Sequence, residues 1–93
     1  MAFVLVRYTV GDFQRWKTSF NDAYDMRKEC GEKSCRVFRS SNDPNEVVII
    51  HEWDSLSAAR HFVRSRRMRQ CMENAGVVGK PDTVFLKEIS RPL

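Results

Sequence analysis

The sequence predicts a ferredoxin-like α+β sandwich, in which one four-stranded antiparallel sheet carries helices on one of its faces. Three observations lead to this prediction. Apolar runs and longer amphipathic segments alternate in the order strand, helix, strand, strand, helix, strand. A chain of 93 residues has room for one core, so we expect a single domain over residues 1–93. Two right-handed crossovers around a central hairpin then give the strand order 4-1-3-2.

The first third of the chain contains the first strand and the first helix. Residues 2–10, AFVLVRYTV, are rich in β-branched and aromatic side chains, which favours a strand buried on both faces. Asp12 is a suitable N-cap and Gly31 a suitable terminator for a helix over residues 13–30. One stripe of this helix should face the sheet: Phe13, Trp16, Phe20, Ala23, Arg27 and Cys30.

The middle of the chain is predicted to be a hairpin. Strand two covers residues 34–40 and strand three residues 47–53, and the proline and asparagines between them favour a turn. Strand three, VVIIHEW, is almost entirely apolar, as a central strand of the sheet should be.

The last third should contain a helix in two parts and a final strand. Asp54 or Ser55 can begin the second helix, which Ser65 should interrupt and recap before the helix ends at residue 74. Gly76 should stop it, and VVGKP should form a loop to a strand over residues 83–89.

The helices of this fold leave one face of the sheet uncovered. Strands one and three nevertheless look apolar on both faces, so a second layer is expected there. A second copy of the chain, related by a two-fold axis, is the simplest cover, because two such sheets close into an eight-stranded barrel. We therefore expect a homodimer.

Three segments carry a resemblance to a known family. They are DFQRWKTSF in the first helix, DPNEVVIIHEWDSLSAARHF across the hairpin and second helix, and MENAGVVGKPDTVFL near the end. They resemble the antibiotic-biosynthesis-monooxygenase-like domains of the dimeric α+β barrel superfamily, over nearly the whole chain. The resemblance implies a small flat or apolar ligand between sheet and helices, and, for an enzyme, cofactor-independent oxidation or isomerisation. The superfamily also includes haem-degrading enzymes and binding or stress-related proteins without catalysis.

His51 is the first candidate catalytic residue, because an ionisable imidazole stands in the most apolar run of the chain. It shares a strand face with Val47, Ile49 and Trp53, but periodicity leaves open whether that face meets the helices. If it does, the imidazole can accept a proton from an activated aromatic substrate. Otherwise His51 is a hydrogen-bonded residue of the core or of the dimer interface.

Arg27 is the second candidate, because it lies on the apolar stripe of the first helix. A guanidinium in this position needs a carboxylate, a carbonyl or an anionic ligand. Glu52, Glu29 or a ligand carboxylate could serve, or the side chain could extend past the last helical turn to water.

Four aromatic residues are candidate ligand-binding residues: Trp16, Phe20, Tyr24 and Trp53. They are either core residues or the lining of a pocket for a flat ligand.

The basic residues suggest a third function. The net charge is +4, and the excess lies in RHFVRSRRMRQ, where Arg60, Arg64 and Arg67 would share one helical stripe and could bind phosphates of a nucleic acid. A solvated helix face is the simpler interpretation, since strands one and three lack the aromatic motif of an RNA-recognition module.

Other kinds of site lack supporting motifs. Three cysteines are an odd number, which favours reduced thiols and a cytoplasmic protein, and Cys30 and Cys35 have no second pair for zinc. GVVGKP is not a phosphate-binding loop, no Ser-His-Asp or Cys-His arrangement can be assigned, and His61 should face solvent, which disfavours haem ligation. The longest apolar run, residues 1–6, has six residues, so we expect no membrane segment or signal peptide. In the absence of a metal or cofactor motif we also expect neither a metal nor a cofactor.

Overall fold

The chain folds as the predicted α+β sandwich in a computed structural model, which describes residues 2–90. Its elements are β1 (Ala2–Val10), α1 (Phe13–Asp22), α2 (Tyr24–Glu29), β2 (Glu32–Arg39), β3 (Glu46–Trp53), α3 (Leu56–Arg64), α4 (Arg66–Asn74) and β4 (Val77–Lys87). The strands form one antiparallel sheet in the order β2-β3-β1-β4. This is the predicted 4-1-3-2 order read from the other edge, so the fold prediction is confirmed.

Two strands differ from their predicted limits. β2 begins at Glu32, two residues earlier than expected. β4 runs over Val77–Lys87, so the prediction of a loop at VVGKP was wrong, whereas the strand predicted over residues 83–89 is present through Lys87. The register of β4 against β1 shifts in this region, where Gly79 adopts a φ of 75°. Such an irregularity on an edge strand accommodates both this glycine and Pro81, which local signals assign to a loop.

The second helical region is divided at Ser65, as predicted. Ser65 has extended backbone at the end of α3, and its hydroxyl accepts a hydrogen bond from the Met68 amide at 3.1 Å to begin α4. Of the two candidate N-caps of α3, Ser55 fills the role by accepting from the Ala58 amide at 3.0 Å. Gly76, with a φ of 80°, follows the end of α4.

The first helix is broken at Ala23, which the sequence pattern did not predict. Arg27 Nη1 donates to the carbonyl oxygen of Phe20 at 2.5 Å. A side chain thereby competes for the carbonyl that an uninterrupted helix pairs with residue 24, which is a common cause of a helix break. The predicted start and end of this helical region are confirmed. Asp12 caps the start of α1, and Gly31 follows α2 with a φ of 112°.

The helices cover one face of the sheet, which we call the inner face. Its buried residues on the two central strands alternate in sequence: Val4, Val6, Tyr8 and Val10 on β1, and Val47, Ile49, His51 and Trp53 on β3. The opposite, open face carries the intervening apolar residues: Phe3, Leu5, Phe38, Val48, Ile50, Val84 and Leu86. The central strands are therefore apolar on both faces, and the face of His51 is the one beneath the helices.

Candidate functional site

A cavity lies between the inner face of the sheet and the helices. Its volume is ≈ 60 Å³. Val6 and Ile49 on the central strands lie on its sheet side, and Trp16 and Phe20 of α1 lie on its helix side. Three methionines complete much of the apolar lining: Met26, Met68 and Met72. The polar side chains among its lining include Tyr8, Arg27 and His51, so few polar groups meet a mainly apolar wall, as in small-molecule sites.

Arg27, Glu32 and His51 form a buried triad beside this cavity. Arg27 Nε donates to Glu32 Oε1 at 3.2 Å, and Glu32 Oε2 lies 2.5 Å from His51 Nδ1. The three residues are 5%, 3% and 5% exposed, respectively. Arg27 therefore has the carboxylate partner that its position requires, but this partner is Glu32 rather than Glu52 or Glu29.

A β-bulge directs Glu32 toward the helices. Cys35 pairs with His51, whereas Glu32, three residues earlier, pairs with Trp53, which is only two residues later on β3. One extra residue therefore lies in β2, in the stretch that contains Lys33. In a regular strand Glu32 and Cys35 would point to opposite faces, so the bulge is what brings the carboxylate under the helices.

Sequence reasoning missed Glu32 because the predicted strand began two residues later. The available signal was Gly31, whose positive φ turns the chain sharply from α2 into β2. A strand that starts directly after such a turn includes Glu32, but its face depends on the bulge, which the residue pattern does not reveal.

Opposing effects set the protonation of Glu32. Burial would raise the pKa of this carboxyl, but the hydrogen bond and charge of His51, together with Arg27, hold it below its usual value. An ionised carboxylate only accepts hydrogen bonds, so in the neutral imidazole the hydrogen lies on Nδ1. Nε2 is then the basic nitrogen, and it has no hydrogen-bond partner within residues 2–90. His51 therefore has the arrangement of a general base, with one nitrogen oriented by a carboxylate and the other available.

Tyr8 supplies a second polar group some distance from His51. The strand register places the two residues four positions apart along the sheet, which is roughly 13 Å. Trp16 Nε1 donates to the Tyr8 hydroxyl at 2.9 Å. Burial raises the pKa of Tyr8 to about 12, against smaller lowering effects of Trp16 and Arg27. The phenol therefore keeps its hydrogen at neutral pH and can donate it to a ligand.

A wider groove lies outside the cavity, between the α1–α2 break and α4. Its volume is ≈ 620 Å³, and Arg66 and Arg67 are on its wall. The groove and the cavity share four lining residues: Ser19, Ala23, Met26 and Cys71. A single layer of side chains thus separates the buried cavity from the groove.

The sequence profile of the antibiotic biosynthesis monooxygenase family matches residues 1–74. This chain belongs to the antibiotic biosynthesis monooxygenase family. The resemblance noted in the sequence is therefore confirmed. No curated protein sequence matches the chain significantly.

Several solved structures have the same fold as this chain. SnoaB, a cofactor-independent oxygenase from Streptomyces nogalater, is 15% identical with a TM-score of 0.79, over 97% of this chain and 94% of that one. The monooxygenase from the gene ActVA-Orf6 of Streptomyces coelicolor, solved with the ligand nanaomycin D, is 22% identical with a TM-score of 0.69, over 99% and 90%. A Bordetella bronchiseptica protein assigned to the same family is 10% identical with a TM-score of 0.80, over 96% and 97%. At these identities the similarity establishes the fold.

The structure brings some of the predicted aromatic residues to the cavity and not others. Trp16 and Phe20 line it, with their rings stacked at 5.0 Å between centroids. Trp53 is buried nearby against Phe62, at 4.8 Å between centroids, but does not line the cavity. Tyr24 is 53% exposed on α2 and lies outside the cavity lining. A ligand in the cavity would therefore contact Trp16 and Phe20 directly.

The arginines of the second helical region are exposed but do not form one stripe. Arg60 and Arg64 lie on α3 and Arg67 lies on α4, so the predicted single stripe is divided at Ser65.

Two further features are absent from residues 2–90. No helix in this part of the chain is long and apolar enough to cross a membrane. Within the same residues, no three His, Cys, Asp or Glu side chains are grouped so that they could hold a metal ion.

Proposed function

We propose that this family member binds a small, flat, largely apolar molecule in the cavity and oxidises it with dioxygen without a bound cofactor. The observation that carries the proposal is His51, a buried imidazole with Glu32 on Nδ1 and with Nε2 unpartnered among the described residues. The cofactor-independent oxygenase activity named for SnoaB, which has the same fold, supports this choice of chemistry.

In this proposal His51 is the general base. A phenolic or enolic hydroxyl of the substrate gives its proton to Nε2, and the Glu32 carboxylate stabilises the imidazolium that forms. The resulting substrate anion is electron-rich and reduces dioxygen. For a ring CH₂ group that becomes a carbonyl, one oxygen atom enters the product and the other leaves as water with the two hydrogens, so atoms and electrons balance.

Arg27 acts in this proposal as a positioning residue. Its Nε donates to Glu32 and its Nη1 donates to the Phe20 carbonyl, so two of its nitrogens are already engaged. Together with the larger effect of His51, the charge and hydrogen bond of Arg27 hold the pKa of the buried Glu32 below its usual value, and Glu32 in turn fixes the imidazole tautomer. We therefore propose that Arg27 acts through Glu32 rather than as the holder of a ligand anion.

The size of the cavity indicates how a ligand is accommodated. A volume of ≈ 60 Å³ is well below the roughly 300–1,000 Å³ of small-molecule sites. Met26, Met68 and Met72 line the cavity, and the unbranched side chain of methionine changes conformation easily. We propose that a substrate ring displaces these side chains and lies between Trp16 and the sheet.

The experiment that tests the catalytic role is the substitution His51→Asn. Dioxygen consumption with hydroxylated two- and three-ring aromatics should fall by roughly 10²–10⁴-fold, the usual contribution of general base catalysis. Binding of the same compounds and of nanaomycin D, the ligand of the structural neighbour, should change little. Binding is followed by the fluorescence of Trp16 in a Trp53→Phe background.

The matched control is His61→Asn, because His61 is exposed on α3 and lies outside the cavity lining. A His51→Asn protein that consumes dioxygen at the native rate would refute the role as base. If the native protein binds these compounds but consumes no dioxygen, the second candidate function is supported, a binding module without catalysis. The triad favours that candidate in one respect, since it also ties α2 to β2 and β3.

We also propose that the open face pairs two copies of the chain. Exposed apolar side chains such as Phe38 and Val84 lie on this face, and a matching sheet would remove them from water. Ile50→Lys on the open face should then convert a dimer into a monomer, as measured by light scattering. Leu56→Lys, at an exposed position on α3, should leave the dimer intact. A native protein that is monomeric at micromolar concentration would contradict the pairing.

A further inference from the structure

The groove outside the cavity has an excess of positive charge. Arg66 and Arg67 on α4 face it together with one acidic residue, Asp22 of α1, so two cations stand against one anion. Within residues 2–90 neither arginine forms an ion pair, and the first turn of α4 contains no acidic side chain. The groove can therefore attract an anionic group without first breaking an internal ion pair.

The volumes indicate that a ligand extends into this groove. The cavity beside His51 holds ≈ 60 Å³, whereas the groove holds ≈ 620 Å³. A site for a drug-sized molecule needs roughly 300–1,000 Å³, which the cavity does not provide and the groove does. A molecule with one ring beside His51 must therefore place its remaining atoms in the groove.

The layer between cavity and groove is thin and deformable. Ser19, Ala23 and Cys71 in this layer have small side chains, and Met26 is flexible. Ala23 also lies at the break between α1 and α2. Rotation of the Met26 side chain would join the two spaces, so this layer is the natural entrance to the cavity.

Two polar side chains of the cavity have hydrogen-bonding capacity left for a ligand. His51 Nε2 has no partner among the described residues, and the Tyr8 hydroxyl accepts from Trp16 but donates to none of them. Both side chains line the cavity and are more than nine-tenths buried. A ligand hydroxyl could therefore donate to His51 Nε2, and a ligand oxygen could accept from the Tyr8 hydroxyl.

We propose that the groove is the outer half of the ligand site, and that Arg66 and Arg67 bind a carboxylate on the substrate. The substrate class is then a hydroxylated aromatic acid, whose hydroxyl reaches His51 and whose carboxylate stays in the groove. Guanidinium groups bind carboxylates through charge-assisted hydrogen bonds, which are stronger than those between neutral groups. This inference rests on the proposed ligand site at His51 and adds a specificity determinant to it.

The test compares two probes that differ in charge and little in shape. One is a hydroxynaphthoate with its hydroxyl and carboxylate at opposite ends of the ring system, and the other is the corresponding hydroxynaphthamide. Titration calorimetry at low salt should show the carboxylate binding about tenfold more tightly to the native protein. Higher salt should reduce this preference, because the arginines are exposed and the charges are screened.

The variant Arg66→Gln/Arg67→Gln should lose the preference and bind both probes with the affinity of the amide. The matched control is Arg60→Gln/Arg64→Gln, which removes the same charge from exposed positions on α3 outside the groove. Equal affinities in the native protein, no binding of either probe, or an unchanged preference in Arg66→Gln/Arg67→Gln would overturn the proposal. So would an equal loss in the control.

The same probes separate this inference from the proposed oxidation. If the carboxylate is preferred in a way that depends on Arg66 and Arg67, but no dioxygen is consumed, the carboxylate site in the groove is supported and the catalytic proposal is refuted. In the opposite outcome, dioxygen consumption depends on His51 but is equally fast for both probes, in the native protein and in Arg66→Gln/Arg67→Gln. That result supports the catalytic proposal and refutes the proposed carboxylate site in the groove.

Discussion

The substitution Glu32→Gln tests the triad, because it removes one charge and keeps the shape of the side chain. Glu32 is buried between Arg27 and His51, with Arg27 Nε at 3.2 Å from one carboxylate oxygen and His51 Nδ1 at 2.5 Å from the other. A glutamine in the same place can still accept from Arg27, but it leaves the guanidinium as a buried cation without a counter-charge.

The expected loss of stability follows from this geometry. Removing one partner of a buried ion pair costs about 3–5 kcal/mol, because the remaining charge stays buried. Glutamine keeps one hydrogen bond to Arg27, so we expect the lower end, about 3 kcal/mol. In a domain of 93 residues each kcal/mol corresponds to about 4–8 °C, so Tm should decrease by about 12–24 °C.

The assay is urea unfolding of the native and variant proteins, followed by tryptophan fluorescence and circular dichroism. The control is Glu29→Gln, the same change at an exposed position on α2, which should alter the free energy of unfolding by less than about 0.5 kcal/mol. A Glu32→Gln protein that loses less than about 1 kcal/mol would refute the argument that Arg27 depends on this carboxylate.

The same substitution should also abolish the proposed base. Arg27 only donates, so the glutamine oxygen must face it, and the amide NH₂ must then face His51. That NH₂ donates to Nδ1 and moves the imidazole hydrogen to Nε2, where it blocks acceptance of a substrate proton. Nitrogen NMR shifts of the His51 ring report the tautomer directly. A hydrogen that stays on Nδ1 in the variant would contradict this step.

Three further predictions concern stability. The pKa of Glu32 is lowered in the folded protein, so the stabilisation from this carboxylate is present above its unfolded pKa near 4.5 and is lost as pH falls through the lower folded pKa. Glu32→Gln should therefore reduce the loss of stability at acid pH, measured by urea unfolding between about pH 3 and 7. Parallel curves of unfolding free energy against pH for the native and variant proteins would contradict this. Tyr8→Phe removes the acceptor of a buried indole N–H and should cost about 1–3 kcal/mol, against a change below about 0.5 kcal/mol for exposed Tyr24→Phe; equal effects would refute the bond. Gly31→Ala should cost at least about 1 kcal/mol, because φ is 112° there, whereas Gly11→Ala, without positive φ, should cost less in the same assay; the reverse order would contradict the backbone argument.

The fold could be predicted because its signals are local. Helix periodicity, the serine and aspartate caps and the glycines after helices fix the element order, and chain connectivity then limits the topology. The segment VVGKP was wrongly predicted as a loop because the prediction used only such local signals. Gly79 and Pro81 are loop residues by local preference, but an irregular edge strand accepts both, and only the pairing with β1 reveals this.

The site could be predicted only in part, because its assembly depends on contacts between distant segments. The sequence singles out His51 and Arg27 as polar residues in apolar surroundings. It does not reveal that both meet at Glu32, since a single extra residue in β2 inverts the direction of that side chain. The break at Ala23 has the same origin, because it accompanies the bond from Arg27 to the Phe20 carbonyl.

The hydrogen bonds of the triad engage Nδ1 of His51 and leave Nε2 without a partner among residues 2–90. A structural triad gains most when every polar atom has a partner, because each unpartnered buried group costs about 1–3 kcal/mol. Within residues 2–90, Arg27 Nε and both carboxylate oxygens of Glu32 have hydrogen-bond partners in the triad. His51 Nε2 has no such partner, and His51 lines a mainly apolar cavity. The buried side-chain atoms without a partner in this part of the chain are Glu52 Oε2 and Trp53 Nε1, so the fold tolerates such atoms outside the triad. The free nitrogen of His51 is therefore compatible with a structural triad and with the proposed base, and the His51→Asn comparison decides between the two.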